Sequence, residues 1–217
     1  MVVWTFAPGA FHNRITYHEQ HLLFERDGVR LVTLSDPKTA AVCLSLATEC
    51  DSALGADFGR AYALDDRAKA LLTAAEGAVR VRIRGNGGIV LKTTHDGLTT
   101  SVTDTTTAPT DTYRVEAPEA LAFPLRLDHW RRFAGMLGDE AVRVDAEESR
   151  VTFTGDRCGA CFDRAEGTTG AFTVAFADLE FVLDQWRAPQ ARMGAHSNGV
   201  VFVRDESTVA YISPIIP

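Results

Sequence analysis

The sequence predicts an α+β protein of two similar domains, each made of short helices and antiparallel hairpins. Three observations carry this reading. A helical pattern followed by a hairpin runs from Leu64 to Thr93 and again from Leu127 to Thr154, with the phrase Ala-Val-Arg-Val shared at 78–81 and 141–144. Fainter copies of the same block stand at the two ends of the chain. Between the inner copies lies Asp104–Tyr113, which is polar, rich in threonine and interrupted by Pro109. The chain therefore divides into an N-terminal domain over 1–103, a connector over 104–117 and a C-terminal domain over 118–217, with two blocks of about fifty residues in each half.

The elements follow in order. Pro8 to His18 reads as a short helix. Gln20–Glu25 and Val29–Leu34 flank the turn Arg26-Asp27-Gly28 as a hairpin, and a third strand, Ala40–Leu46, follows Asp36-Pro37. Leu64, Ala68, Leu71, Leu72 and Ala75 recur on one helical face. Val79, Val81 and Ile83 then alternate with arginines, and the glycine-rich turn at 85–88 leads into Ile89–Thr93. Trp130, Phe133, Ala134 and Leu137 mark the next helix, followed by a hairpin with arms Ala141–Asp145 and Arg150–Thr154. Phe176, Leu179, Val182, Leu183 and Trp186 mark the last helix, which Ala188-Pro189 ends; Gly199–Val203 and Val209–Ser213 close the chain as a hairpin. Leu98–Asp104 and Cys158–Asp163 read as edge strands that must be covered.

Composition narrows the function classes. The 217 residues are 46% hydrophobic and 24% charged, which is globular and excludes a disordered tail, a fibre or a disulfide scaffold. The net charge is −7, so the whole surface cannot coat nucleic acid, although one local basic face can. Only Lys38, Lys69 and Lys92 are lysines; the other cations are arginines. An acidic, lysine-poor, Ala/Thr/Asp-rich chain suits a halophilic source. No run long enough for a membrane helix and no signal peptide are evident, so a cytoplasmic, nucleoid-associated location and reduced cysteines are expected.

Catalytic signatures are absent. Cys158-x-x-Cys161 sits in a glycine-rich strand region rather than at a helix start, and Cys43 and Cys50 lack the spacing of a zinc knuckle. The six histidines have no metal spacing, the turn at 85–88 lacks the Lys-Ser/Thr of a phosphate loop, and no nucleophile elbow occurs. No cofactor and no metal are expected. What recurs instead is a cation on each helix: Arg14; Arg67 and Lys69; Arg131 and Arg132; Arg187. Helices sharing one face would turn these residues into a basic surface that holds a duplex by its phosphates without reading bases.

This layout resembles the DNA sliding clamps of the proliferating cell nuclear antigen (PCNA) type, through short segments in the right order and spacing. Asp27–Leu34 with Asp36-Pro37 is similar to that family's first hairpin and turn. Pro118–Phe133 is similar to the start of its second domain, and Gly138–Asp156 to the stretch that follows. Phe176-Ala-Asp-Leu179 is similar to its last helix start, and Val209–Ile216 to its C-terminal strand and ending, with Ser213 in place of alanine and Ile215 in place of a basic residue. Leu72 and Trp186 stand where family members often carry a cation.

The resemblance implies the DNA-clamp (processivity factor) fold, with helices lining the inner face and antiparallel sheets outside. It implies a non-enzymatic homotrimer that encircles double-stranded DNA without sequence preference and serves replication and repair. DNA polymerase, other proteins bearing a PCNA-interacting peptide and a clamp loader are the implied partners; no membrane is. Arg14, Arg67, Lys69, Arg131, Arg132 and Arg187 would face DNA. Leu34, Val42, Val115, Pro214 and Ile215 would line a partner-peptide pocket. Ser101, Val102 and Thr103 of one subunit would meet Gly159, Cys161 and Phe162 of the next. Two alternatives stand beside this: a monomeric adaptor that keeps the clamp fold, and a small α+β enzyme using Cys158 and Cys161.

Overall fold

The computed structural model describes residues 2–50, 59–84, 88–104, 107–108, 115–137, 141–156, 158–163 and 167–215. Most of the connector expected over 104–117 lies outside them, as do the glycine turn at 85–87 and Asp139 and Glu140. The chain separates into two compact units, one of Met1–Leu34 and Cys43–Arg114, the other of Ser35–Val42 and Val115–Pro217.

The first unit contains β1 (Val2–Phe6), β2 (Gln20–Glu25), β3 (Gly28–Leu34), β5 (Thr48–Cys50), β6 (Arg60–Ala63), α1 (Asp66–Ala74), β7 (Val79–Ile83), β8 (Ile89–His95), β9 (Leu98–Asp104) and β10 (Thr107–Ala108). β4 (Ala40–Leu46) is divided between the units after Val42. One sheet has the order β5-β1-β7-β8-β9; a second contains the run β10-β6-β2-β3. The core is the set of alternate residues that face inward, including Trp4, Phe6, Phe24, Leu31, Tyr62, Leu72, Val81 and Leu91. α1 starts where Asp65 caps it: its Oδ1 accepts from the Ala68 amide at 2.7 Å, satisfying one of the orphan donors of the first turn.

The helix expected at Pro8–His18 is instead a chain of turns, closed by Ala10 N→Ala7 O, His12 N→Gly9 O and Arg14 N→Phe11 O bonds. Gly9 (φ 77°) and Asn13 (φ 55°) are left-handed, which interrupts any helical run between them. Phe11 still reaches the core, against Phe6 at 5.0 Å between ring centroids.

The second unit contains β11 (Glu119–Arg126), α2 (Leu127–Leu137), β12 (Ala141–Ala146), β13 (Arg150–Thr154), β14 (Gly159–Asp163), β15 (Gly170–Ala175), α3 (Phe176–Asp184), β16 (Gln190–His196), β17 (Val201–Arg204) and β18 (Thr208–Ile212). Its sheets run β14-β13-β12-β15 and β18-β17-β16-β11. Trp130, Phe133, Phe153 and Phe162 form an aromatic cluster with centroid separations of 5.0–5.9 Å. Thr39 belongs with this unit: its hydroxyl donates to the buried Asp178 at 2.8 Å, and its carbonyl accepts from the Ser213 amide. Ala40 and Val42 accordingly pack in the second core, a placement that the linear division at residue 103 does not foresee.

The four sequence blocks are thus each a leading strand, a helical or turn segment, and three strands: β1 to β4, β6 to β9, β11 to β14 and β15 to β18. Within each unit the two blocks exchange leading strands. β1 pairs with β7 and β6 with β2; β11 pairs with β16 and β15 with β12. The exchange welds two local repeats into one unit.

Candidate functional site

The expected DNA-facing cations divide by environment. Arg67 is exposed on α1, and Arg131 and Arg132 are exposed on α2. Arg14 is exposed on the turn segment, and Arg187 is exposed just beyond α3. Lys69 is half-buried, its ammonium donating to the backbone carbonyls of Tyr17 and His18. Arg131 donates to the Trp186 carbonyl at 3.0 Å, where a cation complements the end of α3. Lys69 and Arg131 therefore also serve local structure. Leu72 and Trp186 are core residues at 1% and 2% exposure, so neither stands in for a surface cation.

α2 begins on a charged rim. Arg126 Nη2 lies 2.8 Å from Asp128 Oδ2, and this hydrogen bond holds the Asp128 carboxyl below its ordinary range. His129 stacks on Phe162 at 5.7 Å and 17°. Arg126, His129 and Phe162, together with Phe123, Leu125 and Phe153, line a cleft of about 600 Å³ beside β14.

The strands expected at a subunit interface are both sheet edges. β9 pairs only with β8 and β14 only with β13 among the described residues. Ser101, Thr103, Gly159 and Cys161 are exposed, and Val102 and Phe162 are half-buried. Each edge leaves a row of backbone donors and acceptors open to another strand.

Of the residues expected in a peptide pocket, Leu34 in the first unit is 8% exposed, and Val42 in the second is 4% exposed and part of its core. Val115 and Pro214 are half-buried and Ile215 is exposed. The Ile215 amide donates to the Thr173 carbonyl at 2.8 Å, which ties the C-terminal segment to β15.

The two strand cysteines do not act as a pair. Cys158 packs toward the core and its thiol donates to the Met136 carbonyl at 3.0 Å. Cys161, on the alternate side of the strand, accepts from the Thr152 hydroxyl at 3.7 Å. That geometry gives no support to a Cys158/Cys161 redox centre. No cluster of three or more metal-ligating side chains occurs among the described residues.

Sequence reasoning passed over one group. β7 carries Arg80 and Arg82 on the face opposite its buried Val79, Val81 and Ile83, and β8 places Lys92 directly across from Arg80. The signal was the alternation itself, which was used to locate the core and not to follow the charges on the other face.

The chain matches no protein-family model and no curated protein by sequence. Its structure is similar to solved ones over its whole length, among them these two. One is the PCNA2–PCNA3 complex from Sulfolobus tokodaii, with a TM-score of 0.67 at 10% identity, covering 99% of both chains. The other is the DNA polymerase III beta subunit from Thermotoga maritima, with a TM-score of 0.68 at 11% identity, covering all of this chain but 65% of that one. The strand-exchanged blocks and these likenesses define the fold class: this is a sliding-clamp fold. Of the two, the Sulfolobus chain is also its match in length.

Proposed function

We propose that the protein is a DNA sliding clamp, a ring-shaped processivity factor that encircles duplex DNA and tethers a polymerase and other replication and repair proteins. The observation that carries this is the pair of open edges, β9 in one unit and β14 in the other, on a chain with the clamp fold. A strand of one subunit laid against the other edge of the next makes a head-to-tail contact, and such contacts close into a ring. The apolar cleft beside β14, lined by half-buried Phe162 and buried Leu125, is available to that contact.

Retention is then topological. A closed ring needs only weak phosphate contacts, here from Arg14, Arg67, Lys69, Arg131, Arg132 and Arg187, and weak contacts permit sliding. At high salt these contacts are screened within a few ångströms, and ring closure does the holding. Val115, Pro214 and Ile215 are the accessible residues for a partner peptide. A loader would open the ring. The protein itself catalyses nothing.

Mass in solution tests this. Three copies of the 23.6 kDa chain give about 71 kDa. The ring should stay on closed circular DNA in high salt and run off when the circle is cut. A species that stays at 23.6 kDa at every salt concentration, with no retention on circles, refutes the homotrimer and favours the monomeric adaptor. The Sulfolobus neighbour is a complex of PCNA2 with PCNA3, so a mixed ring is the variant to seek if one chain alone does not close.

A further inference from the structure

We infer that Arg80, Arg82 and Lys92 form a second contact surface, on a sheet face of the first unit, for the phosphate backbone of nucleic acid. Cross-strand partners share a face, so the registers define who lies there. Arg80 stands between Thr5 of β1 and Lys92 of β8; Lys92 stands between Arg80 and Ser101 of β9. Arg82 stands between Val3 and Val90, and Val90 is opposite Thr103. All three cations are exposed, and none has an ion-pair partner among the described residues. The carboxylate that the registers bring to this face is Glu49, across from Thr5 on β5.

This arrangement is costly without a ligand. Like charges directly opposite on neighbouring strands repel, and Arg80 faces Lys92. The second unit shows the relieved version. There Arg143 occupies the place of Arg80, but Asp145 replaces Arg82 and Thr154 replaces Lys92. Arg143 binds Asp145 in three hydrogen bonds of 2.8–3.0 Å, and Arg150 stands opposite Asp163. One face is neutral; its counterpart in an acidic protein is cationic.

The ligand chemistry follows from spacing and company. Alternate residues on a strand are about 6.6 Å apart and neighbouring strands about 4.8 Å, so the cations form a flat ladder suited to a linear polyanion rather than a pocket for a small anion. Hydroxyls of Thr5, Ser101 and Thr103 stand in the same rows and can donate to phosphate oxygens. Among the described residues the face has no aromatic ring to stack a base and no deep apolar anchor of the kind that dominates protein–protein contacts, only half-buried Val3 and Val90. That favours a backbone, read without sequence, over an acidic protein segment.

The double variant R82D/K92T copies the second unit's residues onto the first, so a sheet that already tolerates this pattern is the precedent for its folding. Binding to a short linear duplex, where topology plays no part, should weaken at least tenfold at low salt, and the slope of log affinity against log salt should fall by about 2. The neutral variant R80Q/R82Q should weaken it less. An unchanged affinity and slope overturns the inference. So does loss of binding to poly-glutamate with duplex binding intact, which would make the face a protein dock. A single-stranded oligonucleotide of the same charge shows whether the backbone must be paired; loss on either form supports the surface. R131E/R132E is the contrasting arm: if it alone abolishes linear-duplex binding, the sheet face is not a contact. A monomeric mass would refute the ring and leave this test intact.

Discussion

The sheet of β7, β8 and β9 and the sheet of β12, β13 and β14 are built on the same plan and differ on the side that does not touch a core. Inward, both present an unbroken alternation of buried side chains: Val79, Val81 and Ile83 in one, Val142, Val144 and Ala146 in the other. Outward, one is a row of cations with no ion-pair partner among the described residues and the other a closed Arg143–Asp145 pair, in which Asp145 raises the Arg143 pKa. The packed side of a repeat is held by volume and polarity, while the exposed side is free to diverge in charge. Charge differences between repeats are therefore where separate functions can be assigned.

The comparison can be broken hardest at close backbone approaches. In the second unit a Cβ on Gly194 would stand 1.9 Å from the Leu121 carbonyl oxygen, at the bulge where β11 shifts register against β16. Gly194→Ala should cost about 4 kcal/mol in denaturant unfolding, because backbone cannot yield as a side chain can. A close backbone approach at a different place in the first unit, before β7 and against β8, is looser: a Cβ on Gly77 would lie 2.5 Å from the Thr94 carbonyl oxygen. Gly77→Ala should cost about 2 kcal/mol. Equal costs would mean that the second unit's bulge relaxes more than its geometry implies.

The helices offer a smaller contrast. α1 is capped by Asp65, whereas α3 begins at Ala175 with no side-chain cap. Asp65→Ala should lose about 1 kcal/mol, and Ala175→Ser should gain about 0.5 kcal/mol. Reversed signs in thermal unfolding would show that tertiary packing, not capping, sets both helix starts.

Alkaline pH should act through the first unit. Burial pushes the Cys43 thiol from an ordinary 9.0 up to about 12, with Arg30 opposing and Glu25 adding to the shift. The folded state then binds a proton that the unfolded state releases, so stability is fully present below pH 9 and falls as pH rises toward 12. Cys43→Ala should flatten this fall. In the native protein at pH 8, Cys50 should react with a thiol reagent while Cys43 does not.

The smallest effect is expected at Arg143→Ala. Its pair with Asp145 is solvent-exposed, and the unfolding midpoint should not move measurably.

Much of this architecture was legible in the sequence. The helix phrases at Leu64 and Leu127 and the hairpins after them stand where periodicity placed them, within a residue or two at most ends. The leading strands were not recognised. β6 has four residues, too few for a pattern. β16, the partner of the leading strand β11, was missed as well; its Gly194 leaves room for the Leu121 carbonyl. β11 does alternate, through Leu121, Phe123 and Leu125, but Pro124 masks it; an edge strand tolerates a proline that a central one would not. The segment after Pro8 has helical spacing and non-helical backbone. Candidate site residues were legible as charge but not as partnership: nothing local in the sequence says that Lys69 reaches the carbonyls of Tyr17 and His18, or that Arg131 reaches that of Trp186.

The exchanged leading strands also set a timetable for synthesis. β1 is synthesised ahead of both its neighbours, β5 about 45 residues downstream and β7 about 75, so its β7 side must wait through most of the unit before it can zip. Val2–Phe6 is an apolar ribbon during that wait, and chaperone cover or rapid translation of the following block would decide how much of the newborn chain reaches its native pairing rather than aggregating.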